Sequence, residues 1–266
     1  LAKFQGTILI GEKDGSSRIL VTGPDPIAPG AVWRWASITK QLAAVITMQE
    51  VAKRRLDLNA PVARYWPEWR APGARIIRIR DLLLHNSGLP QPDQTAPDAD
   101  GIPAFYRSAA TAPANSAAGF CAGPPRSPAP AKFEYNNCDT IVLAEVLARV
   151  TGRPFDKLVV ERIASPLGMK RFGMFTLRKP RPHVKPTGEF AALDPLINLG
   201  ANGASAGAYG TIGDLWKFDR ALLAGKLLPS VQRDLMWQSS RSNGFYGFNQ
   251  WVFRVKLAGA GRGIRL

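Results

Sequence analysis

Two residues in the first fifth of the chain have the chemistry of a covalent catalyst. Ser37 and Lys40 are three positions apart, which on a helix places both side chains on one face, about one turn from each other. A serine hydroxyl becomes a nucleophile when a neighbouring base takes its proton, and a lysine that burial has made neutral can be that base. The spacing alone is weak evidence, because about one such pair arises by chance in a chain of this length.

The segment that follows the pair strengthens the case. From Lys40 to about Lys53 the sequence is apolar on nearly every side, which is typical of a helix inside a core. Such a helix is a rigid platform, and its N-terminus offers unpaired N–H groups and a partial positive charge to a developing oxyanion. We therefore expect Ser37 at the head of a central helix.

A second candidate set is Tyr135-Asn136-Asn137, before another predicted helix. A phenol can shuttle a proton, and an amide two residues later can orient a lysine or a substrate amide carbonyl. The alternative is structural, a buried tyrosine beside an Asx turn.

Together these motifs resemble those of the serine β-lactamase and penicillin-binding protein superfamily. The similarity is greatest to the branch of class C β-lactamases, D-alanyl-D-alanine carboxypeptidases, D-aminopeptidases and family VIII esterases. It extends from about residue 5 to residue 253, through Leu56-Asp57-Leu58, Leu82-Leu83-Leu84-His85-Asn86-Ser87-Gly88-Leu89, Pro166-Leu167-Gly168-Met169 and Gly213-Asp214-Leu215.

The resemblance implies a role for each matching residue. Ser37 would be the acylated nucleophile, and its backbone N–H would form half of the oxyanion hole. Lys40 would hold and relay the proton, and Tyr135 would act as general base and then as acid. Asn137 would bind the lysine and the substrate amide. His85 and Ser87 would shape a turn and not touch substrate.

One departure from the family pattern concerns its third motif, Lys-Thr-Gly or His-x-Gly on a late strand beside the nucleophile. Residues 185–188 read Lys-Pro-Thr-Gly but precede the glycine-rich segment 200–210, which is the wrong order, so we reject them. We expect the motif strand, a final strand and a C-terminal helix after Trp251, in a part of the protein that this sequence omits. An enzyme without them would lack half its oxyanion hole.

The implied fold is α/β plus α, β-lactamase/transpeptidase-like, with an antiparallel sheet flanked by helices. We expect one domain over 1–266, in which 1–59 and 191–266 form an α/β lobe, 60–190 form a mainly helical lobe, and the first strands pair with the late ones. Expected strands are 6–10, 18–21 and 246–253. Expected helices are 40–53, 140–150, 155–163 and 211–224, and a short one near 104–110 within a loop region over 90–131.

The formal net charge of +15 is the unusual feature of the composition. Such a surplus suits nucleic acid or the anionic polymers of a cell envelope. The basic residues are spread along the chain and are not interleaved with aromatic ones, so we expect no specific nucleic-acid partner. Contact with an anionic cell envelope and a merely solvated basic surface remain the two interpretations.

Cysteine and histidine usage limits metal chemistry. Cys121 and Cys138 cannot form a zinc site on their own, and only two histidines, His85 and His183, are available to help, so we predict no metal and no cofactor. The cysteines form either a disulfide in an oxidising compartment or two buried thiols. No apolar run reaches membrane-spanning length. Because the chain starts at Leu1, we expect missing upstream residues, either a removed export signal or a disordered segment. The expected location is periplasmic or secreted, with a cytoplasmic one as the alternative.

The predicted function is acyl transfer to Ser37 followed by hydrolysis. The substrate would be a small molecule or peptide: an ester, a D-amino-acid amide, a D-Ala-D-Ala peptide or a β-lactam, with a dedicated β-lactamase least favoured. Two alternatives remain, an inactive penicillin-binding-like sensor or scaffold and a basic protein that binds an anionic polymer.

Overall fold

The computed structural model describes residues 4–23, 27–107, 113–176, 184–185, 190–255 and 264–265. The helices are α1 (Thr39–Ala52), α2 (Ile79–Leu83), α3 (Pro113–Ala118), α4 (Asn137–Thr151), α5 (Phe155–Val159), α6 (Phe190–Leu193), α7 (Gly203–Ala206), α8 (Ile212–Leu223) and α9 (Ser230–Met236). The strands are β1 (Gly6–Gly11), β2 (Ser17–Thr22), β3 (Trp33–Arg34), β4 (Gly173–Met174), β5 (Ala208–Gly210), β6 (Tyr246–Gly247), β7 (Gln250–Trp251), β8 (Arg254–Val255) and β9 (Ile264–Arg265). None of the helices in these segments is both long and apolar enough to cross a membrane.

Helix α1 is the central helix that the sequence predicts. Its apolar side chains from Leu42 to Met48 are fully buried, and it contacts α4, α5, α7 and α9. Each fully buried Leu, Ile or Met contributes about 1.5–3 kcal/mol relative to an exposed side chain. The one acidic residue of α1, Glu50, is fully buried and pairs with Arg55 and Arg162. The helix that carries Lys40 is therefore held from every direction.

The strands form small antiparallel sheets. Strands β1 and β2 pair from Gly6–Thr22 to Gly11–Ser17, and β5 lies between β3 and β4. Among the described residues β1 and β2 pair only with each other, so the expected pairing of the first strands with the late ones is wrong for this part of the chain. The late strands are only two residues long and pair as β6–β7 and β8–β9. Helix α8 contacts β1, and Trp216 lies against Gly11 where a Cβ would clash with its ring.

The expected single strand over 246–253 is a hairpin. Asn249 has φ 57°, in the left-handed region that asparagine tolerates better than most residues, and it reverses the chain between β6 and β7. Its backbone N–H donates to the Leu83 carbonyl over 2.9 Å, and its side-chain amide donates to the Lys40 carbonyl over 3.2 Å. The hairpin is thereby fixed to α1 and to α2.

The region 90–131 is built from short turns, as a Pro- and Gly-rich sequence favours. The helix expected near 104–110 is a 3-10 turn over Ala104–Tyr106, and residues 108–112 lie outside the described segments. Helix α3 follows and was not expected. Cys121 and Cys138 form a disulfide, with Cα atoms 5.4 Å apart, that joins the turn Phe120–Ala122 to the first turn of α4.

The ends of the long helices follow local sequence signals. The Asn136 side chain accepts the Cys138 N–H, so α4 begins at Asn137, three residues before the predicted start. Gly152, at φ 69°, ends it. Thr211 and Asp214 form the capping box that starts α8. The predicted helix over 155–163 is α5 followed by a π-helical turn over Val160–Ala164.

We expect the disulfide to stabilise the fold measurably. It closes a span with a sequence separation of 17. A cross-link over such a span restricts the unfolded chain, and its removal should lower the free energy of unfolding by about 3 kcal/mol. Urea unfolding with and without dithiothreitol measures this, with the double variant Cys121→Ser/Cys138→Ser as control, because its midpoint should not respond to reductant. A wild-type midpoint that stays fixed while two thiols become titratable would contradict the expectation.

Candidate active site

Ser37 lies on an exposed turn at the head of α1. The turn is a 3-10 helix over Ala36–Ile38, and Ala36 has φ 46°, a conformation that costs energy for a residue with a Cβ. The Thr39 hydroxyl holds the turn in place, donating to the Ala36 carbonyl over 2.6 Å and accepting the Ala208 N–H over 3.0 Å. The serine is thus presented to solvent from a backbone that α1 and β5 fix on both sides.

Lys40 is fully buried directly behind the serine. Its Nζ lies 3.4 Å from the Ser37 hydroxyl oxygen and donates to the Asn137 side-chain oxygen over 2.7 Å and to the Ser205 carbonyl over 2.8 Å. Burial lowers the pKa of Lys40 to about 7, although the charges of Asp93 and Asp139 act to raise it. A neutral amine has two N–H donors and one lone pair. With both donors used, the lone pair is left for the Ser37 hydroxyl proton.

Tyr135 covers the same corner of the site. Its ring centroid is 4.7 Å from the Lys40 Nζ, and the ring stacks on the half-exposed Trp251 at 5.4 Å and an interplanar angle of 12°. Burial raises the pKa of the Tyr135 hydroxyl, and a hydrogen bond with Ser37 acts in the opposite direction. The phenol is therefore neutral near pH 7, and Lys40 is the group that titrates there.

Asn137 is the first residue of α4, and its amide is held at both ends. Its oxygen accepts from Lys40, while its Nδ2 donates to the Tyr106 hydroxyl over 2.8 Å and to the Asp93 carboxylate over 3.2 and 3.4 Å. Its backbone N–H donates to the Gln91 side chain over 3.3 Å. The ammonium or amine on one side and the carboxylate on the other fix which way the amide faces.

All four predicted site residues are thus brought together, and the sequence missed several of their partners. Ser205 offers only a backbone carbonyl, which any residue type could supply. Asp93 and Tyr106 reach Asn137 from the irregular region 90–131, where no periodicity indicates which side chains face inward. Trp251 lies on a strand as predicted, but its stacking on Tyr135 is a contact between distant segments that the sequence does not indicate.

A buried polar cluster of His85, Ser87, Asp139 and Tyr246 lies beneath the site. The His85 Nδ1 is 2.9 Å from the Asp139 carboxyl and its Nε2 is 3.0 Å from the Tyr246 hydroxyl; Ser87 donates to Asp139. Burial lowers the pKa of His85 well below its ordinary value and raises that of Asp139 well above its own. His85 and Ser87 are each about 1% exposed, which agrees with the structural role that the sequence predicts for them.

The described residues contain no group of three or more His, Cys, Asp or Glu side chains arranged to hold a metal ion. Of the segment 185–188, which imitates the third family motif, only Lys185 lies within the described part of the chain. Its Nζ pairs with Asp194 over 2.7 Å, and Arg34 pairs with the same carboxylate over 2.6 Å.

Residues 13–250 match the family model described as Beta-lactamase. The chain belongs to the β-lactamase family. It is 30% identical over 168 residues to the esterase EstB of Burkholderia gladioli (59% of this chain, 42% of that protein). It is 28% identical over 228 residues to the D-alanyl-D-alanine-carboxypeptidase/endopeptidase AmpH of Escherichia coli K12 (77% and 53%).

Among solved structures, a D-stereospecific amidohydrolase from Streptomyces superposes with a TM-score of 0.73 at 26% identity, covering 92% of this chain and 76% of that one. This confirms the predicted α/β fold class. This member of the β-lactamase family spans about half the length of the curated relatives it matches.

The buried position of Lys40 predicts a pH dependence for acylation. The neutral amine accepts the serine proton, and its pKa is about 7, so the acylation rate should fall about tenfold per pH unit well below pH 7 and level off above it. The burst of 4-nitrophenol from an activated ester, measured from pH 5 to 9, gives this rate once the background with Ser37→Ala is subtracted. The Lys40→Arg variant, which stays cationic, should lack the burst. A midpoint near pH 10 would contradict this role.

Proposed function

We propose that the protein is a serine hydrolase that works through an ester on Ser37. The observation that carries the proposal is the placement of Lys40. Its amine is buried, and the two N–H groups of the neutral amine donate to Asn137 and Ser205. The lone pair is left facing the Ser37 hydroxyl. Burying an amine in this way lowers the stability of the fold, because the charged form loses its solvation. Such a cost is typical of a functional group, and a general base is the function that fits this position.

The proposed reaction begins with attack of the Ser37 oxygen on a carbonyl carbon while the hydroxyl proton moves to Lys40. The carbonyl oxygen becomes an oxyanion, which the Ser37 backbone N–H stabilises at the head of α1. The bond to the leaving group then breaks as that group takes the Tyr135 proton, and the Lys40 ammonium restores the phenol. Hydrolysis of the ester runs the same relay in reverse. Tyr135 takes a proton from the attacking water while its own phenol proton moves to Lys40, and the Lys40 ammonium then protonates the departing Ser37 oxygen. We give the first proton to Lys40 and not to Tyr135, because the pKa of the phenol is raised.

The proposed substrates are carboxylic esters and amides, including short peptides. The named activities of the relatives support this range, since they are those of an esterase, a carboxypeptidase/endopeptidase and a D-stereospecific amidohydrolase. A shared fold does not fix the leaving group, because that choice depends on the walls of the cavity. We rank a dedicated β-lactamase below these activities.

We also propose that the protein works outside the cytoplasm. The disulfide of Cys121 and Cys138 supports this location, because such bonds persist in oxidising compartments. The formal net charge of +15 suits a protein in contact with an anionic envelope.

The proposal is tested by intact mass spectrometry after incubation with a penicillin and, separately, with a 4-nitrophenyl ester. We expect an adduct equal to the acyl group on the wild type and none on Ser37→Ala. Ser87→Ala is the matched control, because Ser87 is buried beneath the site and should leave the adduct in place. The absence of any adduct from the wild-type protein would favour an inactive sensor or scaffold.

A further inference from the structure

The hydrogen-bond donors of Asn137 are already used inside the protein. One N–H of its amide faces the Tyr106 hydroxyl at 2.8 Å, and the other faces Asp93 at 3.2 Å. The Tyr106 hydroxyl in turn donates its own proton to Asp93. An Asn side chain has only these two N–H donors. A substrate carbonyl that approached Asn137 would find no free donor there.

What this side of the site presents instead is an acceptor. Asp93 is exposed, and its second carboxylate oxygen receives only the long 3.4 Å contact from Asn137. Although the protein carries a formal net charge of +15, no Lys or Arg of the described segments pairs with this carboxylate. An exposed carboxylate with spare lone pairs binds a cationic donor well and repels a carbonyl oxygen.

Asp93 is linked to the reacting groups by its charge and by a short chain of hydrogen bonds. Its negative charge favours the protonated forms of Lys40 and Tyr135, so it acts against burial on the pKa of Lys40 and in the same direction as burial on the pKa of Tyr135. Through the single side chain of Asn137 it is linked to the amine that faces Ser37. Only two side chains, Asn137 and Lys40, thus stand between Asp93 and the Ser37 hydroxyl in this chain of hydrogen bonds.

We propose that Asp93 is a specificity-determining residue that selects substrates with a free ammonium group beside the scissile carbonyl, such as aminoacyl amides, aminoacyl esters and peptides with a free N-terminus. This inference rests on the proposed serine hydrolase function. The substrate ammonium donates to the Asp93 oxygen that receives only the long contact from Asn137, while Tyr106 and Asn137 hold the other. N-acylated substrates lose this contact and place a carbonyl oxygen against the carboxylate.

The test compares phenylalanine 4-nitroanilide with its N-acetyl derivative, each as both enantiomers. In the wild type kcat/KM should favour the free amine, and Asp93→Asn should lower the ratio of the two values by about tenfold or more, the usual scale for a hydrogen bond between charged groups. Asp93→Glu keeps the charge and should recover much of the preference. Asp100→Asn is the matched control, because that exposed carboxylate pairs with Arg107 outside the site. Equal ratios in wild type and Asp93→Asn would overturn the proposal.

A binding measurement keeps the question separate from turnover. Isothermal titration of Ser37→Ala with phenylalaninamide and with N-acetylphenylalaninamide needs no catalysis, so it decides the role of Asp93 even if neither anilide is cleaved. Tighter binding of the free amine, lost when Asp93→Asn is added, supports the proposal. Equal or tighter binding of the acetylated amide overturns it. Failure of the hydrolase function itself appears elsewhere, as the lack of a Ser37 adduct with an activated ester.

Discussion

The burial of one amine is the constraint on which the rest of the site depends. Lys40 is fully buried on α1, and a charged amine in that position is expensive unless it is paired or gives up its proton. Both conditions are partly met. Asn137 and Ser205 accept hydrogen bonds from the amine, and desolvation lowers its pKa to about 7. Those two acceptors come from α4 and α7, so the amine also determines how these helices must sit against α1.

The carboxyl groups near the amine divide into two kinds. Asp139 is fully buried in contact with His85 and Ser87, and burial favours its neutral form. Asp93 is exposed and keeps contact with solvent and with the Asn137 amide. Asp139 thus shapes the floor of the site as a carboxyl whose charged form burial disfavours, and Asp93 lies exposed at its mouth. The difference in solvation between Asp139 and Asp93 therefore determines their different roles.

The sequence predicted those features that are encoded locally. Ser37 and Lys40 were found from helical spacing, and Tyr135 and Asn137 from a short motif ahead of a helix. The cap at Thr211 and the turn residues of β1 and β2 are equally local signals. The division into lobes over 1–59, 60–190 and 191–266 stays a prediction. What could not be predicted depends on contacts between distant segments, such as the Ser205 carbonyl on Lys40, or on one unusual backbone angle, such as that of Asn249.

The hydrogen bonds around Lys40 connect parts of the chain that are far apart in sequence. The separations are 97 residues to Asn137, 165 to Ser205 and 209 from the Lys40 carbonyl to Asn249. Closing loops of this length costs entropy before any contact repays it, and folds that depend on such contacts form slowly. The lysine cannot be surrounded until nearly the whole chain has condensed on α1. A partly folded chain therefore holds a protonated, solvated lysine and an ordinary serine, and nucleophilic reactivity at Ser37 reports the completion of folding.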